Sequence, residues 1–291
     1  MILDNFCVFI LTHGRPNNVV TYDTLEKHRY TGPLYIIIDN EDKTAEGYYK
    51  HYGDKVIMFD KKAISKTFDE GDNFDDRRTI VYARNACFQI AKELGFTYFM
   101  ELDDDYVDFR YKQDESRGQI DKRDIKSLDN MFRLLLEFYK SIPAKSIAIA
   151  QGGDFLGGKN GNAAKNPQYR KCMNSFICST DRPFKFYGRI NEDVNTYTLG
   201  GLRGELFFTV PNIALQQKAT QANTGGMSDI YNIQGTYVKS FYTVLYAPGC
   251  AKVKIMQCKH PRLHHTISWN NTTPAIIREG YKKRVKGVKA I

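Results

Sequence analysis

The sequence predicts an α/β fold, a mixed sheet flanked by helices, with a smaller lobe of short strands. Three observations carry this. Short, nearly continuous apolar runs recur through the first half: "FCVFILT" (6–12), "LYIIID" (34–39), "KVIMFD" (55–60) and "TYFMEL" (97–102). Such runs suit strands covered on both faces, and stretches with helical spacing alternate with them. In the second half "FICST", "ELFFTV", "TVLYA" and "KVKIMQ" read as short strands with long polar connections.

Taken in order, the first strand stops at the breaker cluster "HGRP", and "NNVVTYDTLEKHRYTG" then reads as a helix closed by Gly32. Residues 60–76 show no period and mixed charge, which predicts a mobile loop. The next helix, "RRTIVYARNACFQIAKELG", carries Ile80, Ala83, Cys87, Ile90, Ala91 and Leu94 at helical spacing and stops at Gly95. A second amphipathic helix is expected from about Asp124 to Ile142, with Ile125, Leu128, Phe132, Leu135, Phe138 and Tyr139 on one face. The strand "SIAIAQ" follows and runs into the glycine-rich "GGDFLGGKNGN". The terminal "YKKRVKGVKAI" is a basic tail.

A chain of 291 residues with 42% hydrophobic and 13% aromatic content can bury one large core. We expect a single domain spanning 1–291. The formal charge is +9, from 42 Lys and Arg against 33 Asp and Glu, which hints at an anionic partner while also serving solubility. The six cysteines form no CxxC pair and several lie in apolar stretches, so they read as reduced core thiols in a reducing compartment. The N-terminal apolar run is too short to span a membrane and lacks a basic leader. These features lead us to expect a cytoplasmic protein with no membrane partner; they name no protein partner.

The residues that point to chemistry begin with "ELDDDY". An apolar strand ends in Asp103, Asp104 and Asp105, and open α/β sheets bind ligands beyond the carboxyl ends of their strands. Oxygen ligands two residues apart suit Mg2+ or Mn2+ bound to a diphosphate, which makes Asp103 and Asp105 the inner pair. A solvated turn is the competing reading. Thr12 and Arg15 in "THGRP", and Asp39 in "DNED", stand at the ends of the first two strands, where a nucleotide would lie. Arg84 and Asn85 lie in the helix before the acidic strand and offer further contacts. Glu192 and Asp193 in "GRINEDVNTYT" stand at a helix start, where a carboxylate stays ionised and can act as a base. His264 and His265 in "PRLHHTISW" offer an imidazole to a metal site begun by carboxylates. Adjacent histidines usually point apart, so one ligand at most is expected. Gly152 and Gly153 would admit a sugar or phosphate close to the backbone. Lys61, Lys62, Lys66, Arg77 and Arg78 could track nucleic-acid phosphates, together with the tail Lys282, Lys283 and Arg284.

In their order, "THGRP", "LDDDY", "QGGDF", "NED" and "LHH" resemble the motifs of GT-A nucleotide-sugar glycosyltransferases. More narrowly, "FILTHGRPNNVVTYDTLEK", "YARNACFQIAKELGFTYFMELDDDY" and "GRINEDVNTYT" resemble the TET-associated glycosyltransferases, found largely in phages and related to the enzyme that completes base J. The resemblance implies a GT-A-like, Rossmann-type mixed sheet, with a nucleotide-sugar half at 1–110, an acceptor half at 111–280 and the tail at 281–291. It implies a UDP-sugar donor, by default UDP-glucose, and a DNA acceptor carrying 5-hydroxymethylcytosine or 5-hydroxymethyluracil, in a host cytoplasm if the source is a phage. By carry-over, Asp103 and Asp105 hold Mn2+ or Mg2+, Asp193 beside Glu192 is the base, and His264 or His265 is the last ligand. Thr12, Arg15, Asp39, Arg84, Asn85, Gly152 and Gly153 would then surround the donor. The triple aspartate leaves the register open, since Asp104 could replace either neighbour. A protein, lipid or glycan acceptor is the alternative, and a non-catalytic nucleic-acid-binding module is the alternative from another class.

Overall fold

The computed structural model describes residues 5–72, 75–114, 120–151, 154, 160–161, 165–166, 169–172, 174–217, 238–257 and 261–278. The strands are β1 (Phe6–Leu11), β2 (Leu34–Asp39), β3 (Val56–Phe59), β4 (Tyr98–Asp103), β5 (Tyr106–Asp114), β6 (Ile120–Asp124), β7 (Ala144–Gln151), β8 (Ser175–Ser179), β9 (Leu206–Gln217), β10 (Ala251–Met256) and β11 (Arg262–Ile267). The helices are α1 (Val20–Lys27), α2 (Ala45–Tyr52), α3 (Lys61–Ser65), α4 (Val81–Glu93), α5 (Leu128–Ser141), α6 (Glu192–Leu202), α7 (238–246) and α8 (Trp269–Thr272).

Among the described residues, nine strands form one mixed sheet in the order β3-β2-β1-β4-β8-β7-β9-β5-β6, and β10 and β11 form a separate two-stranded ribbon. β1 pairs in parallel with both β2 and β4, and β2 with β3. The chain therefore runs outward from β1 to β3 and then returns to lay β4 on the other side of β1. That reversal opens a crevice at the carboxyl ends of β1 and β4, the place where open α/β sheets receive ligands.

The apolar runs are continuous because the sheet is covered on both faces. On β1, Phe6, Val8 and Ile10 join a cluster with Leu25 of α1, Tyr48 of α2 and the buried face of α5. Cys7, Phe9 and Leu11 face the other way, into a cluster with Ile64 of α3, the α4 residues Val81, Tyr82, Ala86 and Cys87, and Val194 of α6. Alternate side chains thus feed two cores, and a period-2 pattern is lost because both phases are apolar. Cys7, Cys87, Cys172, Cys178 and Cys250 are free and buried. No helix among the described residues is long and apolar enough to cross a membrane.

Two expectations are corrected. The 60–76 stretch, expected as a mobile loop, contains α3, whose first turn is capped by Asp60 accepting from the Ala63 amide at 2.9 Å. Further along, Asp69 and Glu70 are pinned: Gly188 and Arg189 donate their amides to the carbonyls of these two residues at 2.8 Å each. "TVLYA" lies mostly in α7 and not in a strand, because a five-residue apolar run carries no period that separates the two. The hairpin β5–β6 and the helix α2 had no clear apolar period to announce them. The tail, Gly152 and Gly153 lie outside the described residues.

Candidate active site

The three aspartates form the turn between β4 and β5, and α1 holds that turn. Thr21 donates its hydroxyl to the Asp103 carbonyl at 2.6 Å and its amide to the Asp104 carbonyl at 3.1 Å. It also accepts from the Tyr106 amide at 2.9 Å. With the backbone locked, the three side chains have different fates. Asp104 is buried, accepts from the Thr12 hydroxyl at 2.6 Å through one oxygen and meets Arg15 Nη1 at 3.2 Å through the other. Burial raises its pKa, with Arg15 and Thr12 opposing. Asp103 points the opposite way, toward Arg84. Asp105 accepts from Gln217 Nε2 at 3.1 Å through Oδ2, while its buried Oδ1 has no hydrogen-bond partner among the described residues.

Arg84 is the centre of the site. Its guanidinium is buried, donates to Asp103 at 2.9 Å and to Glu192 at 3.1 Å, and lies 3.6 Å from Glu101. The rings of Phe176 and Phe186 sit 5.0 and 5.8 Å from it. One cation among three carboxylates cannot hold all of them ionised in so dry a place. Burial pushes Glu101 up to about 8 and Asp103 up to about 7, with Arg84 opposing in each case. Burial, and then Asp193 alongside, raises Glu192. Arg84, expected from the sequence near the nucleotide, ties the end of β4 to the start of α6.

That start of α6 has unusual backbone geometry. Asn191 takes a left-handed φ of 57° immediately before the helix, and Gly188 has a φ of 81° with Asn195 and Tyr246 pressed against the space a side chain would need. The turn delivers Glu192 to Arg84 and leaves Asp193 buried, with Oδ1 accepting from the Val194 amide at 2.7 Å. Asn191 reaches the other way: its Nδ2 donates to the Lys239 carbonyl at 2.7 Å and lies 3.4 Å from His265 Nδ1. His264 and His265 lie side by side, with ring centroids 4.4 Å apart, although adjacent histidines were expected to diverge. Burial, with nearby Lys171 and Lys239, lowers His265 to about 3 and His264 to about 4, so both are neutral at physiological pH. Among the described residues, no group of three or more His, Cys, Asp or Glu is gathered as a metal cluster, so the histidines and aspartates are not brought together there.

At the end of β2, Asp39 accepts from His13 Nδ1 at 2.8 Å and pairs with Lys61 Nζ at 3.2 Å. Burial would raise its pKa, but His13 and Lys61 outweigh that and the carboxyl titrates below its usual range. The Asn85 side chain bonds both the amide and the carbonyl of Phe186 at 3.0 Å. Sequence reasoning missed Tyr48, whose hydroxyl bonds Thr12 at 3.0 Å and the Arg15 amide at 2.7 Å and so shapes the "HGRP" turn. It also missed Asp42, which accepts from the Gly14 amide at 2.7 Å. Tyr48 gave a weak signal, one aromatic in a polar stretch, whereas Asp42 closes the "DNED" motif and could have been found there. Lys61, expected on a phosphate-tracking surface, is buried; Arg77 pairs with Glu41 and Asp75, and Arg78 with Asp76.

The TET-associated glycosyltransferase family profile matches residues 6–226. The chain belongs to that family. As a TET-associated glycosyltransferase it is a transferase, and the matched span runs from β1 past β9, taking in the acidic turn, Arg84 and α6 but not the β10–β11 ribbon. Among curated proteins none matches. Among solved structures, glucosyl-3-phosphoglycerate synthase from Mycobacterium tuberculosis, with Mn2+, UDP and phosphoglyceric acid, is similar at 10% identity, with a TM-score of 0.44, over 93% of this chain and 89% of that one. The same enzyme with Mn2+, UDP-glucose and phosphoglyceric acid is similar at 8% identity, with a TM-score of 0.42, over 89% and 86% of the two chains.

Proposed function

We propose that this TET-associated glycosyltransferase moves a sugar, by default glucose, from a UDP-sugar to the hydroxymethyl oxygen of a 5-hydroxymethylpyrimidine in DNA, with inversion at the anomeric carbon. The observation that carries the reading is the link from Asp103 through Arg84 to Glu192, which holds the start of α6, and so Asp193, against the end of β4. Donor and base would then share one crevice.

The aspartates suit Mn2+ or Mg2+. Asp104 is already engaged through both oxygens, whereas Asp105 keeps a buried oxygen with no partner. Hard carboxylate oxygens are the donors such ions prefer, and Mg2+ commonly takes only one or two carboxylates beside phosphate oxygens and water. Asp103 and Asp105 would hold the ion. A cation bound there supplies Lewis-acid neutralisation of the diphosphate.

The chain's own residues do the rest. Thr12, Arg15 and Asp39 line the nucleotide side, with Tyr48 fixing the turn that carries Arg15. Asp193 takes the proton from the acceptor hydroxyl, whose oxygen forms a bond to the anomeric carbon. The bond from that carbon to the diphosphate breaks on the opposite face, and its electron pair leaves with UDP. A single displacement of this kind inverts configuration.

The test is incubation of the full chain with Mn2+, a panel of UDP-sugars, and duplex DNA carrying each hydroxymethylpyrimidine, followed by nucleoside mass spectrometry. One nucleoside should gain a hexose. UDP-sugar hydrolysis with no hexose on any nucleoside would overturn the DNA acceptor and favour a protein, lipid or glycan.

A further inference from the structure

The segment from Ile230 to Arg278 contains no Asp or Glu, yet it carries Lys239, Lys252, Lys254, Lys259, Arg262 and Arg278. Part of this acid-free stretch folds into the β10–β11 ribbon. Register decides which of its side chains share a face. Lys252 stands opposite Thr266, Lys254 opposite His264, and Met256 opposite Arg262. Cross-strand partners project to the same side, and so do residues two apart on one strand. Lys252, Lys254 and Arg262 therefore lie on one face, and all three are exposed. The opposite face carries Ala251 and His265, which are buried.

The ribbon's cations differ from five others around the crevice and the stretch after α3. Arg77, Arg78, Arg84, Arg189 and Lys61 each pair with an Asp or Glu. Lys252, Lys254 and Arg262 have no acidic partner among the described residues, and their own strands offer none. Fixed positive charge left without a counter-charge on a two-stranded ribbon suits a polyanion. The ribbon also adjoins the base: His265 on its inner face lies 3.4 Å from Asn191, two residues before Asp193.

We propose that the outer face of the β10–β11 ribbon, through Lys252, Lys254 and Arg262, grips the phosphate backbone of duplex DNA and so presents the acceptor base to α6. This rests on the DNA-acceptor reading above and adds the surface that takes the duplex. A two-stranded ribbon has dimensions that the DNA major groove or its phosphate walls accommodate. The lysines two apart on β10 are spaced by about 6.8 Å along the strand, so one ribbon edge meets successive charges. The contact is sequence-neutral: it positions the duplex, while the hydroxymethyl group selects the base.

The test compares the wild-type chain with the triple variant Lys252→Gln, Lys254→Gln, Arg262→Gln, using fluorescence anisotropy on a labelled duplex across a salt series. Each phosphate contact contributes about 0.9 to the slope of log affinity against log salt, so the triple variant should be shallower by about 2.7. Its Mn2+-dependent UDP binding and thermal midpoint should match the wild type. If the triple variant folds poorly, Lys254→Gln alone should reduce the slope by about 0.9. A control pair, Arg77→Gln with Arg78→Gln, should leave the slope unchanged. An unaltered slope in the ribbon variants, or a loss confined to the control pair, overturns the ribbon assignment and leaves the acceptor reading intact. A wild-type chain that neither binds duplex DNA at low salt nor transfers hexose to it overturns both.

Discussion

Thr12 donates its hydroxyl to Asp104 at 2.6 Å, joining the end of β1 to the middle of the acidic turn at the end of β4. With Arg15 on the other oxygen at 3.2 Å, that contact makes the central aspartate part of the wall. The two flanking aspartates have other partners, Arg84 for Asp103 and Gln217 for Asp105.

Mn2+ dependence should follow this division. Asp105→Ala should weaken Mn2+-dependent UDP binding by more than the roughly 10–100-fold typical of outer-shell groups. Asp104→Asn, by contrast, should lower stability and leave Mn2+ affinity within a fewfold of wild type. Isothermal titration of UDP at fixed Mn2+ concentrations checks both, and equal losses in the two variants would contradict the division.

Removing Arg84 should be costly, because it leaves Glu101, Asp103 and Glu192 in a buried site without their cation. Breaking a buried pair by deleting one partner typically costs about 3–5 kcal/mol. Arg84→Met should therefore reduce unfolding free energy on that scale in urea titrations. Adding Glu101→Gln should recover part of the loss; no recovery would mean that Glu101 is not coupled to Arg84.

Asp193→Asn tests the base. Turnover should fall by roughly 10²–10⁴-fold, while UDP binding and the melting temperature change little. Wild-type turnover in this variant would remove Asp193 from the reaction.

Asp39 gives a pH signature. Its folded pKa lies below the unfolded value because His13 and Lys61 outweigh burial. The stabilisation it contributes is thus fully present above an unfolded pKa of about 3.9 and is lost as pH falls through the lower folded value. Urea midpoints followed from pH 6 down to pH 2 should show a steeper acid limb in the wild type than in Asp39→Asn. The variant should also be weaker at neutral pH, since Lys61 is buried and loses its partner.

Arg189 pins the stretch after α3. Its buried guanidinium meets Asp72 at 2.8 Å and Asp76 at 3.5 Å. Arg189→Ala should speed limited proteolysis within 66–76, read by mass spectrometry of the first fragments. An unchanged cleavage pattern would show that the backbone bonds from Gly188 and Arg189 suffice.

Much of the first half was legible in the sequence because its signals are local. "LYIIID" is β2 residue for residue, and "TYFMEL" is β4 to within one residue at each end. Their continuous apolarity follows from burial on two faces, which any short window records. The place of the acidic turn was legible for a related reason, since an acidic run directly after a buried strand marks a strand's carboxyl end. The second half was harder. β5 mixes charged and aromatic residues, β6 is almost wholly charged, and "TVLYA" is too short to carry a period.

By itself, the sequence determined the α/β class, the place of the acidic turn and the resemblance to TET-associated glycosyltransferases. The tertiary structure alone decided what each charged side chain does. Arg84 and Glu192 stand 108 residues apart, and no periodicity links them. The partner of a buried charge depends on which strand ends the sheet order brings together, and that order is set by the whole chain's packing. The same holds for Asp103, Asp104 and Asp105: identical and adjacent in the sequence, they are distinguished only by what β1, α4 and β9 place around them.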